Sequence, residues 1–267
     1  MALPASPKVV ITGASSGFGR ALAIELASSK RARLVLSDVD MTGVAETARL
    51  VKEAGATSAD VVKCDVTKLA DVEALEKTID GDVDLLVNNA GVSSAGRIGE
   101  LSIEDWKWTV DVDLWGVIYG CHVFVPRFRK QRHGHVLNVA SAAGIVSAPT
   151  MGAYNVAKAG VISLSETLLA EVKGAGIGVT VLCPTFFQTN IATSGRFASP
   201  EKREMAEKLV ARGKKADGVA KAAIASVERN ELYCVPMADG RWLWRLKRVA
   251  PQAFGSLVAR ASKRLEG

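Results

Sequence analysis

Three side chains in the middle of the chain have the types and the spacing for acid–base chemistry on an oxygen atom. Tyr154 and Lys158 are four residues apart, so on a helix they project from the same face. A lysine ammonium beside a phenol favours the phenolate and is expected to lower the pKa of Tyr154. Ser141, thirteen positions before the tyrosine, can add a hydrogen bond to the same oxygen. The set predicts proton transfer by Tyr154, although a Tyr-x-x-x-Lys pair alone also occurs by chance on surface helices.

A glycine-rich turn near the start of the chain has the form of a phosphate-binding loop. A short apolar run leads into Gly13-x-x-x-Gly17-x-Gly19, and a helical pattern follows. Glycines permit a tight turn and close backbone approach, while the helix start presents free N–H groups to a pyrophosphate. A second apolar run ends at Asp38, whose carboxylate can accept hydrogen bonds from ribose hydroxyls and would repel a 2′-phosphate. Together the two segments favour a dinucleotide site over a structural turn beside a surface acid.

With further motifs the sequence resembles the short-chain dehydrogenase/reductase family, in its compact form, over residues 7 to about 235. The motifs are Thr12-Gly13-x-x-x-Gly17-x-Gly19, Asn88-Asn89-Ala90-Gly91, Ser141 and Tyr154-x-x-x-Lys158. The resemblance implies hydride transfer between a nicotinamide and a carbinol or carbonyl carbon. It implies that Tyr154 is the general acid or base, that Ser141 polarises the substrate oxygen, and that Lys158 also binds the nicotinamide ribose. No metal is expected.

The resemblance also assigns cofactor-binding residues to the ends of the strands. It implies that Asp65 holds the adenine amino group, and a helix N-terminal acid is the alternative. We expect Asn88 and Gly91 on the cofactor side, with side-chain amides of the motif tying neighbouring strands. Thr185 stands where the family more often has glycine. The predicted cofactor-binding residues are Gly13, Ser15, Ser16, Phe18, Gly19, Asp38, Asp65, Val66, Asn89, Ala90, Gly91, Tyr154, Lys158, Pro184 and Thr189.

One position departs from the family in a way that bears on catalysis. The family usually has an asparagine in the long helix before the fifth strand, where it helps to hold a water linking the lysine to solvent. Here Asp113 occupies that position. A carboxylate can accept a hydrogen bond from the same water, but it adds charge close to Lys158. We therefore expect a proton relay with altered pH dependence, and a tolerated isostere is the alternative.

The residues expected around the substrate are uncharged. They are Ser93, Ser94, Ala95, Ala142, Ile145, Val146, Met151, Phe186, Phe187 and Phe197. We expect about half of them to line a pocket and the rest to be core residues. Such a lining favours an apolar secondary alcohol or ketone over a sugar or an acid. The polar segment 190–213 reads as a mobile lid with a short helix that closes over the substrate.

Apolar runs alternate with helical patterns along the chain. The predicted strands cover 8–12, 33–37, 60–64, 83–87, 135–140, 177–182 and 232–235. The predicted helices cover 18–29, 41–54, 68–79, 103–131, 153–174 and 216–229. Seven strands of this kind predict an α/β fold with a doubly wound, Rossmann-like parallel sheet in a single domain over 1–239, followed by an extension over 240–267.

The extension carries much of the charge and two of the five tryptophans. The last 29 residues hold five of the six net positive charges. Trp242 and Trp244 stand among arginines, a composition found both in subunit interfaces and in interfacial membrane helices. We expect packing or subunit docking ahead of peripheral membrane contact. No element that reads nucleic acid is evident, and no apolar run is long enough to span a membrane.

These observations predict an NAD-dependent dehydrogenase or reductase of a hydrophobic secondary alcohol or ketone. An NADP-dependent carbonyl reductase is the alternative within enzymes, and Asp38 argues against it. A non-catalytic dinucleotide sensor is the alternative outside enzymes, but it would not need Ser141, Tyr154 and Lys158. The N-terminus has no signal-peptide pattern, and we expect a cytoplasmic protein. The family resemblance implies a dimer or tetramer formed through the two long helices.

Overall fold

A seven-stranded parallel sheet forms the centre of the protein in a computed structural model, which describes residues 3–266 and the side chains of residues 3–260. The strands are β1 (Lys8–Thr12), β2 (Arg33–Asp38), β3 (Ser58–Lys63), β4 (Leu85–Asn88), β6 (Gly134–Val139), β7 (Ile177–Leu182) and β9 (Tyr233–Cys234). Their order in the sheet is β3-β2-β1-β4-β6-β7-β9, and every pair is parallel. The predicted doubly wound sheet is confirmed, with strand boundaries that differ by up to two residues.

The continuous apolar runs arise because both faces of the sheet are covered. On β1, Val9 and Ile11 belong to one hydrophobic core, whereas Val10 belongs to the other. Successive side chains of a strand point to opposite faces, so a strand covered on both sides cannot alternate with polar residues. The first core is completed by helices α1 (Gly17–Lys30), α2 (Met41–Glu53) and α9 (Ala216–Glu228).

The second core lies under α3 (Leu69–Lys77), α5 (Gly116–Gln131) and α7 (Gly152–Glu171). The predicted helix over 103–131 is confirmed in extent, and it contains one π-helical turn. The segment divides into α4 (Ile103–Val110), a π-helical turn (Asp111–Trp115) and α5. A π-turn widens the helix locally, and here it carries the fully buried Asp113. The side chain predicted to act beside Lys158 therefore sits at the irregular point of the helix.

Two small features close the carboxyl end of the sheet. Strands β5 (Ser94–Ala95) and β8 (Arg196–Phe197) pair in parallel and form a separate two-stranded sheet. This pairing attaches the start of the predicted lid to the segment after β4. Helix α6 (Ala142–Val146) follows β6, and α8 (Pro200–Ala211) is the short helix expected within the lid.

The C-terminal extension consists of α10 (Ala238–Val249) and α11 (Pro251–Glu266). Helix α10 packs on α6, where Lys247 Nζ donates to the backbone oxygen of Ile145 at 2.5 Å and to Ser147 Oγ at 3.3 Å. The extension is thus joined to the same short helix that begins after Ser141. Within the described part of the chain, no helix has the length and apolar character needed to cross a membrane.

Candidate active site

The carboxyl ends of the central strands open into one large cleft of about 2070 Å³. Ligands of open α/β sheets bind at this edge, where the loops after the strands converge. All the predicted cofactor-binding residues line the cleft. The topology places them there because β1, β2, β3, β4 and β7 run parallel and end at the same side.

The glycine-rich loop is held by the residues that directly follow β4. Gly13 has φ +66°, and a Cβ at this position would lie 2.6 Å from the Cα of Ala90. Asn89 Nδ2 donates to the backbone oxygens of Thr12 and Gly13, both at 2.8 Å. Only glycine tolerates this conformation together with this close approach. The Ser16 side chain does not cap α1, so the first N–H groups of the helix can serve an anionic group.

Two acids stand at the end of β2. Asp38 Oδ2 accepts a hydrogen bond from Ser15 N at 2.9 Å, and Oδ1 accepts one from Asp40 N at 3.0 Å. Both acids line the cleft. Arg20 is the cation near this loop, and its guanidinium is bound to Thr47 Oγ1 at 2.9 Å and to the Gly43 oxygen at 3.1 Å. The edge of the cleft at β2 is therefore acidic, and its nearby cation is already engaged.

The surroundings of Asp65, after β3, agree in part with both predicted roles, a carboxylate on the cofactor side and an acid at the N-terminus of a helix. The carboxylate lines the cleft beside Val66. It also accepts hydrogen bonds from Thr67 N and Thr67 Oγ1, at 3.1 and 2.7 Å, and lies 3.3 Å from Lys68 Nζ. Burial raises the pKa of Asp65, but these partners outweigh it and hold the pKa below its usual value. Asp65 thus shapes the turn before α3 and presents a carboxylate to the cleft.

Asn88 lies away from the cofactor side. Its Nδ2 donates to Asn138 Oδ1 at 2.8 Å, and Asn138 Nδ2 donates to Ser165 Oγ at 3.0 Å. Asn88 is buried and is not among the described residues that line the cleft. The prediction that it faces the cofactor is wrong, because side chains alternate along β4 and the amide ties β4 to β6. Asn89, Ala90 and Gly91 remain at the cleft.

Ser141, Tyr154 and Lys158 converge below the loop after β6. Ser141 is the N-cap of α6, and its Oγ accepts a hydrogen bond from Ala143 N at 3.1 Å. Tyr154 and Lys158 occupy successive turns of α7, and Lys158 Nζ lies 5.6 Å from the centroid of the tyrosine ring. All three line the cleft, although Tyr154 and Lys158 are almost completely buried. The spacing in the sequence therefore brings the three groups together.

The expected lowering of the Tyr154 pKa by Lys158 is wrong in this structure. Burial raises the pKa of the Tyr154 phenol well above its ordinary value, and the Asp113 carboxylate raises it further. A hydrogen bond with Ser141 opposes this shift. Lys158 Nζ lies 3.6 Å from Asp113 Oδ2 and 5.6 Å from the centroid of the Tyr154 ring, so a carboxylate offsets the positive field of the ammonium. The phenol consequently keeps its proton and is suited to proton donation.

Asp113 is a buried partner of Lys158. Asp113 Oδ1 accepts a hydrogen bond from Val92 N at 2.7 Å, and Oδ2 lies 3.6 Å from Lys158 Nζ without a hydrogen-bond partner among the described residues. Lys158 Nζ also donates to the Val139 oxygen at 3.2 Å. Burial raises the pKa of the Asp113 carboxyl to about 6, and Lys158 and Val92 oppose the shift. An asparagine would lack this titration.

The segment after β7 borders both halves of the cleft. Pro184 and Thr189 line it, and the Pro184 oxygen accepts a hydrogen bond from Ala142 N at 2.8 Å. Thr185 Oγ1 lies within 3.3 Å of Asp239 Oδ1, so the residue that replaces glycine contacts the start of α10. Phe187 packs edge-to-face on Phe18, with ring centroids 5.9 Å apart. Phe18 is thereby fixed between the glycine-rich loop and the substrate end.

Nine of the ten expected substrate-side residues line the cleft, among them Ser93, Met151, Phe186 and Phe187. Ile145 is the exception. It belongs to the second hydrophobic core and is not among the described residues of the cleft lining. Its neighbour Val146 takes the cleft side instead, because a one-residue step on α6 turns the side chain by about 100°. The prediction of Ile145 as a pocket residue is therefore wrong.

The lid segment is attached to the body by specific side-chain contacts. Arg196 lies 3.0 Å from Asp105 Oδ1, and its guanidinium stacks 4.1 Å from the ring centroid of Trp108. Lys202 Nζ lies 2.7 Å from Glu100 Oε2. These ion pairs have half-exposed members and contribute little individually. The contacts of this segment are of a kind that can open at low cost.

Several residues of the cleft were not anticipated from the sequence. Leu243 on α10 and Val258 on α11 line it, so the C-terminal extension forms part of its wall. Trp108 lines it from α4 and supports Arg196. Arg97 and Glu100, which follow β5, also line the cleft. The amphipathic period of α10 was the one available signal, and it does not say which element the apolar face covers.

The chain belongs to the short-chain dehydrogenase/reductase family. The model of the family described as short chain dehydrogenase matches residues 7–198. The oxidoreductase SadH of Mycobacterium tuberculosis is 34% identical over 261 residues, covering 94% of this chain and 93% of the relative. A short-chain dehydrogenase/reductase from Burkholderia phymatum, solved with NAD, has a TM-score of 0.87 and 35% identity, covering 93% of this chain and 95% of the other. One from Sphingobium yanoikuyae, solved with NADPH, has a TM-score of 0.79 and 26% identity, covering 94% and 95%. The protein is thus an oxidoreductase of a family whose structural neighbours bind either nucleotide.

Proposed function

We propose that the protein transfers hydride between NAD(H) and a hydrophobic secondary alcohol or ketone. The observation that carries the proposal is the convergence of Ser141, Tyr154 and Lys158 in the cleft that also holds the glycine-rich loop. The donor set fits a dinucleotide, because free N–H groups of α1 suit a pyrophosphate and Asp38 suits ribose hydroxyls. The cofactor, when bound, supplies or accepts the hydride.

The residues of this chain handle the proton. In the direction of reduction, the O–H bond of Tyr154 breaks and its proton passes to the substrate oxygen, where a new O–H bond forms. Oxidation of an alcohol reverses the transfer. Ser141 orients the same oxygen by a hydrogen bond, and Lys158 is placed between the Val139 oxygen and Asp113. The buried setting excludes water from the phenol and strengthens these electrostatic interactions.

The acidic edge at β2 supports NAD over NADP. Asp38 and Asp40 both line this part of the cleft, and Arg20 is engaged by Thr47 and Gly43. A 2′-phosphate would meet these carboxylates, which is unfavourable. An NADP-dependent carbonyl reductase remains the alternative, and the NADPH complex of the Sphingobium neighbour keeps that alternative in view.

The apolar lining supports a hydrophobic substrate. Phe186, Met151, Val146, Leu243 and Val258 come from five separate helices or loops and line the same cleft. A steroid-like, long-chain or aryl substrate would bury more of this surface than a small polar alcohol, and burial of apolar area favours binding.

We also propose that the protein assembles through α5, α7 and the π-turn between α4 and α5. Trp115 is 44% exposed and Val156 is 54% exposed on these elements. Exposed large apolar side chains on long helices suit a symmetric contact between copies. Light scattering of the purified protein measures whether it is a dimer or a tetramer.

The test of the function is turnover by the wild-type protein and by Tyr154→Phe, with NAD and NADP in parallel. Absorbance of the reduced nicotinamide is followed across a panel of secondary alcohols and ketones that includes steroids. The phenylalanine variant removes the proton donor, so its kcat should fall by at least about a hundredfold. Its affinity for NAD, measured by calorimetry, should change less than twofold.

Each alternative gives a different result. Turnover with NADP alone would contradict the interpretation of Asp38. Tight NAD binding without turnover on any tested substrate would favour a dinucleotide sensor. Equal turnover by the wild-type and Tyr154→Phe proteins would remove Tyr154 from the mechanism.

A further inference from the structure

The outward face of α10 combines three arginines with two exposed apolar side chains. At about 3.6 residues per turn, Arg241, Arg245 and Arg248 fall on one side of this face, and Trp242 and Val249 fall beside them. All five are exposed; Trp242 is 57% exposed and Val249 is 85% exposed. Lys247, on the opposite side of the helix, is turned inward to α6.

The two tryptophans of the extension have different surroundings. Trp244 packs on Tyr233, with ring centroids 4.6 Å apart, and it contacts the second hydrophobic core. Arg248 lies 5.2 Å from the centroid of the Trp244 ring. The packing of the extension therefore explains Trp244, whereas more than half of Trp242 is exposed. A large exposed aromatic side chain on an otherwise packed helix marks a contact surface.

An apolar strip runs around α10 from this surface to the cleft. Going around the helix, Val249 and Trp242 are followed by the partly buried Leu246 and then by Leu243, which lines the cleft. On α11, Leu257 is 44% exposed, and the next residue, Val258, lines the cleft. The exposed apolar side chains and the apolar wall of the cleft thus belong to the same two helices.

The charge of the outward face of α10 is positive, and the acid of this helix, Asp239, lies in the first turn off that face and beside Thr185. Residues 240–260 include five basic residues and no acidic residue. Arg241 donates to the backbone oxygens of Val235 and Pro236, at 2.9 and 3.0 Å, which leaves its positive charge uncompensated by a carboxylate. A positive helix face with tryptophan at its edge is complementary to an anionic lipid surface, where arginines meet headgroups and the indole enters the interface.

We propose that the outward face of α10, formed by Arg241, Trp242, Arg245, Arg248 and Val249, docks on an anionic lipid bilayer. The strip over Leu246 and Leu243 then leads from the bilayer to the cleft and gives a lipophilic substrate a route that avoids water. The docking is independent of the proposed function. The route rests on the proposed function, because it assigns the source of the hydrophobic substrate.

Vesicle binding by the full-length protein tests the docking. Vesicles of phosphatidylcholine containing phosphatidylglycerol are compared with vesicles of phosphatidylcholine alone in a sedimentation assay. We expect binding to the anionic vesicles, weaker binding at high salt because screening shortens electrostatic interactions, and little binding to neutral vesicles. Arg245→Gln should lower the partition coefficient about fivefold, the loss expected for one cation at an anionic surface. Trp242→Gln should lower it by a similar factor.

Two matched variants control for general effects of the substitutions. Lys130→Gln removes an exposed cation on α5, and Ile103→Gln removes an apolar side chain that is 63% exposed on α4. Both should leave vesicle binding unchanged. Light scattering of all four variants excludes a change in assembly.

The proposal is overturned if the wild-type protein stays in solution with anionic vesicles, or if Lys130→Gln weakens binding as much as Arg245→Gln. It is also overturned if Trp242→Gln changes the oligomeric state, because the face would then be a subunit contact. If the wild-type protein binds a DNA duplex more tightly than it binds vesicles, and Arg245→Gln loses this binding, the face would be assigned to nucleic acid instead.

An activity comparison tests the route separately. Turnover of a long-chain secondary alcohol presented in anionic vesicles should fall in Trp242→Gln, whereas turnover of a short soluble alcohol should not. If Trp242→Gln and the wild-type protein turn over the vesicle-borne alcohol equally well, as they should the soluble one, the route would be overturned while the docking result stays intact. Loss of all turnover in the wild-type protein would contradict the proposed function and would not affect vesicle binding.

Discussion

The cofactor end and the substrate end of the cleft are built in different ways. The cofactor end comes from residues 12–91 and is fixed by backbone conformations, such as Gly13 at φ +66°, and by hydrogen bonds such as those of Asn89. Part of the substrate end comes from α8, α10 and α11, and partly exposed ion pairs such as Lys202–Glu100 attach the segment proposed as a lid. Backbone geometry leaves little freedom, whereas surface ion pairs are weak. The first end is therefore rigid, and the second can adapt to different substrates.

The largest effect of a single substitution should occur at the rigid end. Gly13→Ala forces an L-residue into the left-handed region and places a Cβ 2.6 Å from the backbone of Ala90. The two effects together should lower the free energy of unfolding by about 2–5 kcal/mol. Affinity for NAD should fall at least about a hundredfold, as measured by calorimetry.

Gly99→Ala is the matched control for this substitution. Gly99 has φ +96°, but a Cβ there meets nothing within 4 Å. It should show the smaller loss due to backbone conformation alone and normal NAD affinity. Equal losses in the two variants would mean that the contact with Ala90 has no energetic role.

The next effect concerns the choice of nucleotide. Asp38→Asn removes the charge but keeps the shape of the side chain that holds Ser15 N and Asp40 N. Hydrogen bonds to a charged group are worth about 1.5–3 kcal/mol, so kcat/KM with NAD should fall about 10–100-fold. The kcat/KM with NADP should rise relative to the kcat/KM with NAD. Asp60→Asn, an exposed acid on β3, serves as the control; an unchanged NAD/NADP ratio in Asp38→Asn would contradict the role of the carboxylate.

The results of sequence reasoning differ between the two ends for a physical reason. Motifs at the cofactor end depend on local geometry. Gly13, Asp38 and the apolar run of β1 could therefore be assigned a role from the few residues around each of them. Contacts at the substrate end join segments that are distant in the chain. Leu243 lines the cleft because α10 folds back onto α6 through Lys247. Hydrophobic periodicity can show that a helix has an apolar face, but it does not indicate which element that face covers.

Local patterns also failed where two neighbouring residues have the same chemical type. Ile145 and Val146 are both apolar, and only the three-dimensional position of α6 assigns one to the core and the other to the cleft. The π-turn at Asp111–Trp115 is another example, because a period of about 3.6 residues continues on both sides of it. The sequence identified Asp113 as unusual, but it did not indicate that the carboxylate is completely buried.

Asp113 lies between the two ends of the cleft, and its substitution should have a moderate, pH-dependent effect. This effect would distinguish a functional carboxylate from a tolerated isostere of asparagine. Its pKa is raised from 3.8 to about 6, mainly by burial. The folded state therefore binds more protons at this site than the unfolded state, so the contribution of Asp113 to stability is present at low pH and is lost as the pH rises through about 6. Between about pH 5 and pH 7.5 this loss is about 1 kcal/mol.

Asp113→Asn should abolish this pH dependence. Urea unfolding at the two pH values measures the difference for the wild-type and variant proteins. The pH profile of kcat/KM should also lose an inflection near pH 6 if the carboxylate takes part in the proton relay with Lys158. Identical profiles and identical stability differences would leave Asp113 as an isostere of the family asparagine.

The smallest effect should come from the adaptable end. Arg196→Lys keeps a positive charge near Asp105 but loses the planar stacking on Trp108, at 4.1 Å from the ring centroid. Arginine and lysine are not equivalent at a stacked site, and such a contact is worth about 0.5–1 kcal/mol when exposed. KM for a bulky apolar alcohol should rise about two- to fivefold with kcat unchanged, because the lid closes less favourably. Arg129, at the distant end of α5, forms an exposed ion pair with Glu171. Arg129→Lys alters this pair and should change neither constant. A drop in kcat for Arg196→Lys would show that the lid positions the reacting groups, and the substrate end would then be as rigid as the cofactor end.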